Sequence, residues 1–152
     1  CRSYDEFYFD ELVFLDVWIG HSGEPGKDHF VGEQLISSVE EYVDFCIRWD
    51  INLAGGYEDE RMENLKETMR RCGYNFFDKK SLVVIGYYVG VANACNLVQS
   101  VAVEDDALVL NYKEVYWSDG GIVDFCPRVN LLEVKKADIE GVLRVDYRCV
   151  VD

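Results

Sequence analysis

Hydrophobic and polar residues alternate with a period of two along much of this chain, and with a period near 3.6 in two stretches between residues 38 and 72. From Tyr8 to Gly20, Val13, Leu15, Val17 and Ile19 alternate against Phe14, Asp16 and Trp18, which predicts a strand. His21 to Gly32 carries Gly, Pro, Ser and Asp at the density of a loop, and a loop of this length is functional or mobile. Glu33 to Ser37 fits a short strand. Ser38 then opens a helix, with Glu41 three residues on to complete a capping box. Val39, Tyr42, Val43, Cys46 and Trp49 fall on one face of that helix, which is expected to end near Asp50. Ile51 to Tyr57, with Gly55 and Gly56, reads as a connection. Glu58 to Cys72 places Met62, Leu65, Met69 and Cys72 at helical spacing, with acid in the first turn, Arg70 and Arg71 in the last, and Gly73 beyond the end.

From Leu82 onward the period is that of strands. Leu82 to Val91, Leu97 to Glu104, Ala107 to Trp117, Ile122 to Val134 and Val142 to Val151 are each rich in Val, Leu, Ile and Tyr. Glu104-Asp105-Asp106 and Ser118-Asp119-Gly120-Gly121 are turn candidates, so hairpins are expected to connect these strands. Pro127 donates no hydrogen bond, which predicts an edge strand or a bulge at that point. The expected fold is α+β: a mainly antiparallel sheet or sandwich of five C-terminal strands plus an N-terminal strand, with two helices between. A single domain is expected over 1–152, its strand and long loop at 1–32 preceding a core at 33–152.

Composition narrows the partners. The chain has 152 residues, 29 acidic side chains against 15 basic ones, a net charge of -14 and 49% hydrophobic residues, which describes a folded domain rather than a disordered one. Nucleic acid is an unfavoured partner, because the dense basic spots are only Arg70-Arg71, Lys79-Lys80 and Lys135-Lys136. No apolar run is long enough to span a bilayer, and the acid excess repels anionic headgroups, although a lipid anchor could still tether the chain. Neutral or basic proteins are the partners that the overall charge favours.

Candidate chemistry is sparse. Cysteines stand at 1, 46, 72, 95, 126 and 149 with no C-x-x-C pair, so three bridges in any of 15 pairings and buried thiols both remain open. Cys1 is a candidate lipidation site, since lipoprotein processing leaves a mature chain that begins with cysteine; a fragment boundary is the alternative. His21 and His29 share the loop with Glu24, Asp28 and Glu33 and could hold a metal, though their spacing matches no zinc signature. Gly20-His21-Ser22-Gly23-Glu24 departs from a nucleophile elbow at its last position, and no helix follows it directly. Acidic runs at Glu40-Glu41, Glu58-Asp59-Glu60 and Asp105-Asp106 lie at helix starts and a turn, where a structural role suffices. Tyr87, Tyr88, Tyr112, Tyr116 and Trp117 lie on strands and together form a candidate binding face, because Tyr and Trp often anchor interfaces. No cofactor motif is present.

Leu35-Ile36-Ser37-Ser38-Val39-Glu40-Glu41-Tyr42, Gly73-Tyr74-Asn75-Phe76-Phe77 and Lys80-Ser81-Leu82-Val83-Val84-Ile85 follow one another in order. The Val98 to Val103 strand, Asp106-Ala107-Leu108-Val109-Leu110, Leu131 to Asp138 and Gly141-Val142 come after them. In this order the segments resemble the secreted bacterial domains named after the PrcB subunit of a cell-surface protease complex, many of which are small lipoproteins. The resemblance runs from Ile36 to the C-terminus, and the first strand and long loop before Ile36 have no counterpart in it. It implies an exported, mainly β domain that assists or stabilises a partner, with no catalytic set to carry over. In such a domain, exported to an oxidising compartment, Cys95 and Cys126 are the expected disulfide pair.

The expected function is therefore that of a non-enzymatic binding or accessory domain, extracellular or in the cell envelope, acting through a sheet face or edge on a protein partner. Two alternatives belong to other classes. One is a hydrolytic or metal-dependent enzyme centred on the loop from His21 to Glu33; the other is a cytoplasmic acidic inhibitor or immunity protein that binds a basic partner.

Overall fold

In the computed structural model, residues 9–15, 30–49, 51, 66–73, 75–91, 94–116 and 123–150 are described. Seven strands occur among them: β1 Phe9–Leu15, β2 Gly32–Ile36, β3 Lys80–Val91, β4 Ala94–Glu104, β5 Ala107–Tyr116, β6 Val123–Lys135 and β7 Arg144–Cys149. Helix α1 spans Val39–Arg48, α2 is helical over 66–70, α3 is the single turn Phe76–Lys79, and a 3₁₀ turn covers Lys136–Asp138. The fold is α+β and mainly sheet.

Four strands form one antiparallel sheet in the order β1-β6-β3-β2, and three form a second in the order β4-β5-β7. β3 and β6 are the long central pair of the first sheet, and alternation sends their side chains to opposite faces. Leu82, Val84, Val129 and Leu131 point to one side, where they bury Tyr42 and Phe45 of α1 with Met69, Cys72 and Phe77. Val83, Ile85, Leu132 and Val134 point to the other, against Val98, Val101, Leu108 and Leu110 of the second sheet. The central sheet is thus apolar on both faces, which is why β3 reads as a continuous hydrophobic run rather than a clean alternation.

Capping of α1 follows the sequence closely. Ser38 Oγ accepts from the Glu41 backbone N–H at 3.1 Å, and the Glu41 carboxylate returns to the N–H of Ser37 at 3.0 Å, one residue earlier than the usual box. The buried face differs from the expected one. Tyr42 and Phe45 are its centre, flanked by Val39, Cys46 and Trp49, while Val43 is 48% exposed and Ile47 72% exposed. Phe45 lies three residues after Tyr42 and four before Trp49, on the same helical face, and the ring of Phe30 meets it edge-on, with centroids 5.4 Å apart. Of the second expected helix, residues 58–65 lie outside the described residues.

The connections correct the expected chain of hairpins. β4 and β5 do form one, closed by the pair Glu104↔Ala107 around Asp105, whose φ of 54° is a left-handed conformation that Asp tolerates. The Ser118 to Gly121 turn lies outside the described residues, and the strands it separates belong to different sheets, so it joins no hairpin. β7 pairs with β5 in parallel, because the chain passes through β6 in the other sheet before returning. Pro127 sits opposite Tyr88, past the last β1–β6 pair Leu15↔Val129 and close to the register shift between Val89 and Val91.

Candidate functional site

Antiparallel pairing brings the beginning of β3 beside the end of β6, with Lys80 directly opposite Lys135. α3 delivers Lys79 immediately before the first, and the 3₁₀ turn delivers Lys136 immediately after the second. Two Lys-Lys steps far apart in sequence therefore meet at one end of the central sheet. They line a cavity of 720 Å³, with Leu35, Ala137, Ile139 and Val142 as its apolar lining, Ser37 and Ser81 beside them, and Asp78 and Glu140 as its acids. That volume lies within the usual range of small-ligand sites.

Like charges directly opposite one another on paired strands are destabilising unless neighbouring groups compensate them. Lys80 and Lys135 each have a partner. Lys80 forms an ion pair with Glu133, a carboxylate almost buried beside the helix-side core, and its ammonium lies 5.9 Å from the centre of the Phe76 ring. Lys79 and Lys136 make no ion pair among the described residues. Ser37 and Ser81 hold their hydroxyls 2.9 Å apart, bridging the end of β2 to the start of β3. The arrangement can receive negative charge at its lysines and an aliphatic group against Leu35, Ile139 and Val142. Lysine supplies compact point charges there, not the planar fork of arginine.

The residues singled out from the sequence are distributed differently. Tyr87 faces the interior between the sheets, where its hydroxyl donates to Asn130 Oδ1 at 3.0 Å and accepts from the Asn96 N–H at 3.0 Å. Asn130 Nδ2 donates to the Asn96 carbonyl at 2.8 Å, and Arg128 Nε to the Ala94 carbonyl at 3.2 Å. These three side chains satisfy backbone groups of β4, the edge strand of its sheet, and so blunt that edge. Tyr112 stacks on Tyr147 at 4.0 Å between centroids, and Tyr147 in turn lies 6.4 Å from Tyr87. Tyr88 is half-buried and points to the opposite side of β3 from Tyr87. Tyr116 is 59% exposed, with its hydroxyl on the Glu114 carboxylate. The four described tyrosines do not share one surface, and Trp117 lies outside the described residues.

His21, His29 and Cys1 also lie outside them. Among the described residues no group of three His, Cys, Asp or Glu could hold a metal ion, and no helix is long and apolar enough to cross a membrane. The Cys95–Cys126 bridge is absent. Cys95 is a buried thiol in β4 opposite Val115, whereas Cys126 pairs with Val89 in the other sheet. Burial pushes the thiols of Cys46 and Cys72 up to about 11, so both are protonated at neutral pH and poor nucleophiles.

On the outer side of the smaller sheet, Arg144 Nε contacts Asp106 at 3.2 Å and its Nη1 contacts Asp146 at 2.6 Å. Arg148 bridges Glu104 at 2.9 Å and Asp146 at 3.2 Å. Hydrogen bonding from Arg144, with Arg148 adding to it, holds the Asp146 carboxyl below its ordinary range. Desolvation and then the charge of Asp146 push Glu33, on the neighbouring β2, in the other direction. This network ties the parallel strand β7 to the β4–β5 hairpin and is accounted for structurally.

The sequence shows both lysine pairs, but only as isolated basic spots; the antiparallel register of β3 and β6 is what makes them one site. No protein-family model, curated protein or solved structure matches the chain.

Proposed function

We propose that this chain is a non-catalytic binding domain that engages a partner protein through the lysine-lined cavity at the end of β3 and β6. The observation that carries this reading is Lys80 opposite Lys135, with Lys79 and Lys136 beside them, around a cavity of 720 Å³. The setting we propose is the cell envelope or its exterior, with the bound protein as the molecule assisted. The resemblance of the segments from Leu35 to Val142 to PrcB-type secreted domains supports that setting.

The test is capture from the native source with the intact protein and with a Lys79→Glu/Lys136→Glu variant of unchanged thermal stability. The expected result is one protein retained by the first and lost with the second. Equal retention by both would place the contact elsewhere and remove this reading.

A further inference from the structure

The cavity combines two kinds of surface, apolar and cationic. Its apolar lining, Leu35, Ile139 and Val142, continues the core between the two sheets, so an aliphatic group entering it would meet packed hydrocarbon. Its lysines are four of the chain's 15 basic side chains, in a molecule whose net charge is -14. Asp78 and Glu140 line the cavity too and Glu133 pairs with Lys80, so the four lysines exceed these three acids by one. Because screening limits the reach of exposed charges to about 8 Å at physiological ionic strength, a ligand in the cavity responds to these lysines more than to the distant acid excess.

Resting on the reading that this cavity is the contact site, we infer that its ligand is a short acidic peptide segment of the partner protein, with an aliphatic side chain flanked by Glu or Asp. The aliphatic group sits against Leu35, Ile139 and Val142, and the flanking carboxylates meet Lys79 and Lys136. The overall acid excess, which favours neutral or basic partners, acts on the remainder of the surface, and an acidic segment is expected to approach through the cavity. Phosphate alone would use the ammonium groups and leave the apolar lining unoccupied.

Calorimetric titration of the full chain with Ac-Glu-Glu-Leu-Glu-Glu-amide tests this, with Ac-Gln-Gln-Leu-Gln-Gln-amide and inorganic phosphate as comparison probes. The acidic peptide is expected to bind, the neutral one to bind more weakly, and added salt to weaken the acidic peptide selectively. Lys79→Gln/Lys136→Gln is expected to lower acidic-peptide affinity about tenfold, each exposed pair contributing modestly, while Lys113→Gln on β5 leaves it unchanged. If the double variant melts early, Lys136→Gln alone serves, with a smaller loss expected. Equal binding of the two peptides, no binding of either, or displacement by phosphate at matching concentration would overturn the inference. Should the peptide fail while charge reversal still abolishes partner capture, the ligand class is wrong and the binding site stands; should capture survive charge reversal, the site itself is wrong.

Discussion

Gly86 has the tightest surroundings of any described glycine. A Cβ added there would lie 2.9 Å from the Phe30 ring and closer still to the Phe30 carbonyl oxygen, which as backbone cannot swing aside. Phe30 is held in turn by Phe45 and by Trp49, whose ring centroid is 5.5 Å away. Gly86→Ala is therefore expected to destabilise the protein by about 1–3 kcal/mol, the range for overpacking a filled core. Chemical denaturation measures it, and a loss under about 0.5 kcal/mol, as for an ordinary surface change, would show that Phe30 does not pack there. The sequence does not disclose this contact, because Phe30 and Gly86 are brought together by tertiary structure alone. The Ser38 cap is legible because its partners lie within four residues. Tyr42 was visible as a core position; Phe45, three residues after it and four before Trp49, follows the same helical period and is buried against Phe30 where Val43 is not.

At the level of elements, strand positions were legible and strand partners were not. The spans from Lys80 to Cys149 follow from local alternation and β-branched content, and the Asp105 turn follows from residue type. Which strands pair depends on both faces of β3 and β6 being covered, and periodicity within one strand carries no information about that. The glycines at 120 and 121 suggested a hairpin, yet the chain changes sheets there. What joins the sheets at the β4 edge is polar: Tyr87, Asn130 and Arg128 take the place of a neighbouring strand for Ala94 and Asn96. Asn130 is fully buried, so Asn130→Ala leaves the Asn96 carbonyl and the Tyr87 hydroxyl short of a partner. The expected destabilisation is about 1–3 kcal/mol by denaturant titration. Asn130→Asp tests the same point differently, since it removes the donor to Asn96 and keeps the acceptor for Tyr87. A protein that tolerated both changes without loss would have no structural dependence on this join.

For the whole molecule, three layers follow from one sheet that is apolar on both faces: helices on one side and a smaller sheet on the other. The α+β class was readable from the order of periods along the chain. The candidate site was readable only as two basic dipeptides, since neither has meaning until β3 and β6 run antiparallel with Lys80 against Lys135. The exposed tyrosine face that composition suggested dissolves for the same reason, with Tyr87 and Tyr112 turned between the sheets and Tyr88 turned away from them. The account as a whole depends on where a partner makes contact. Hydrogen–deuterium exchange of the full chain, alone and saturated with the captured partner, measures that most directly. The account predicts new protection in the segments 35–37, 78–81 and 135–142, which carry the residues that line the cavity. Protection confined to α1, or to β7 and its arginine network, with the cavity segments unchanged, would contradict it.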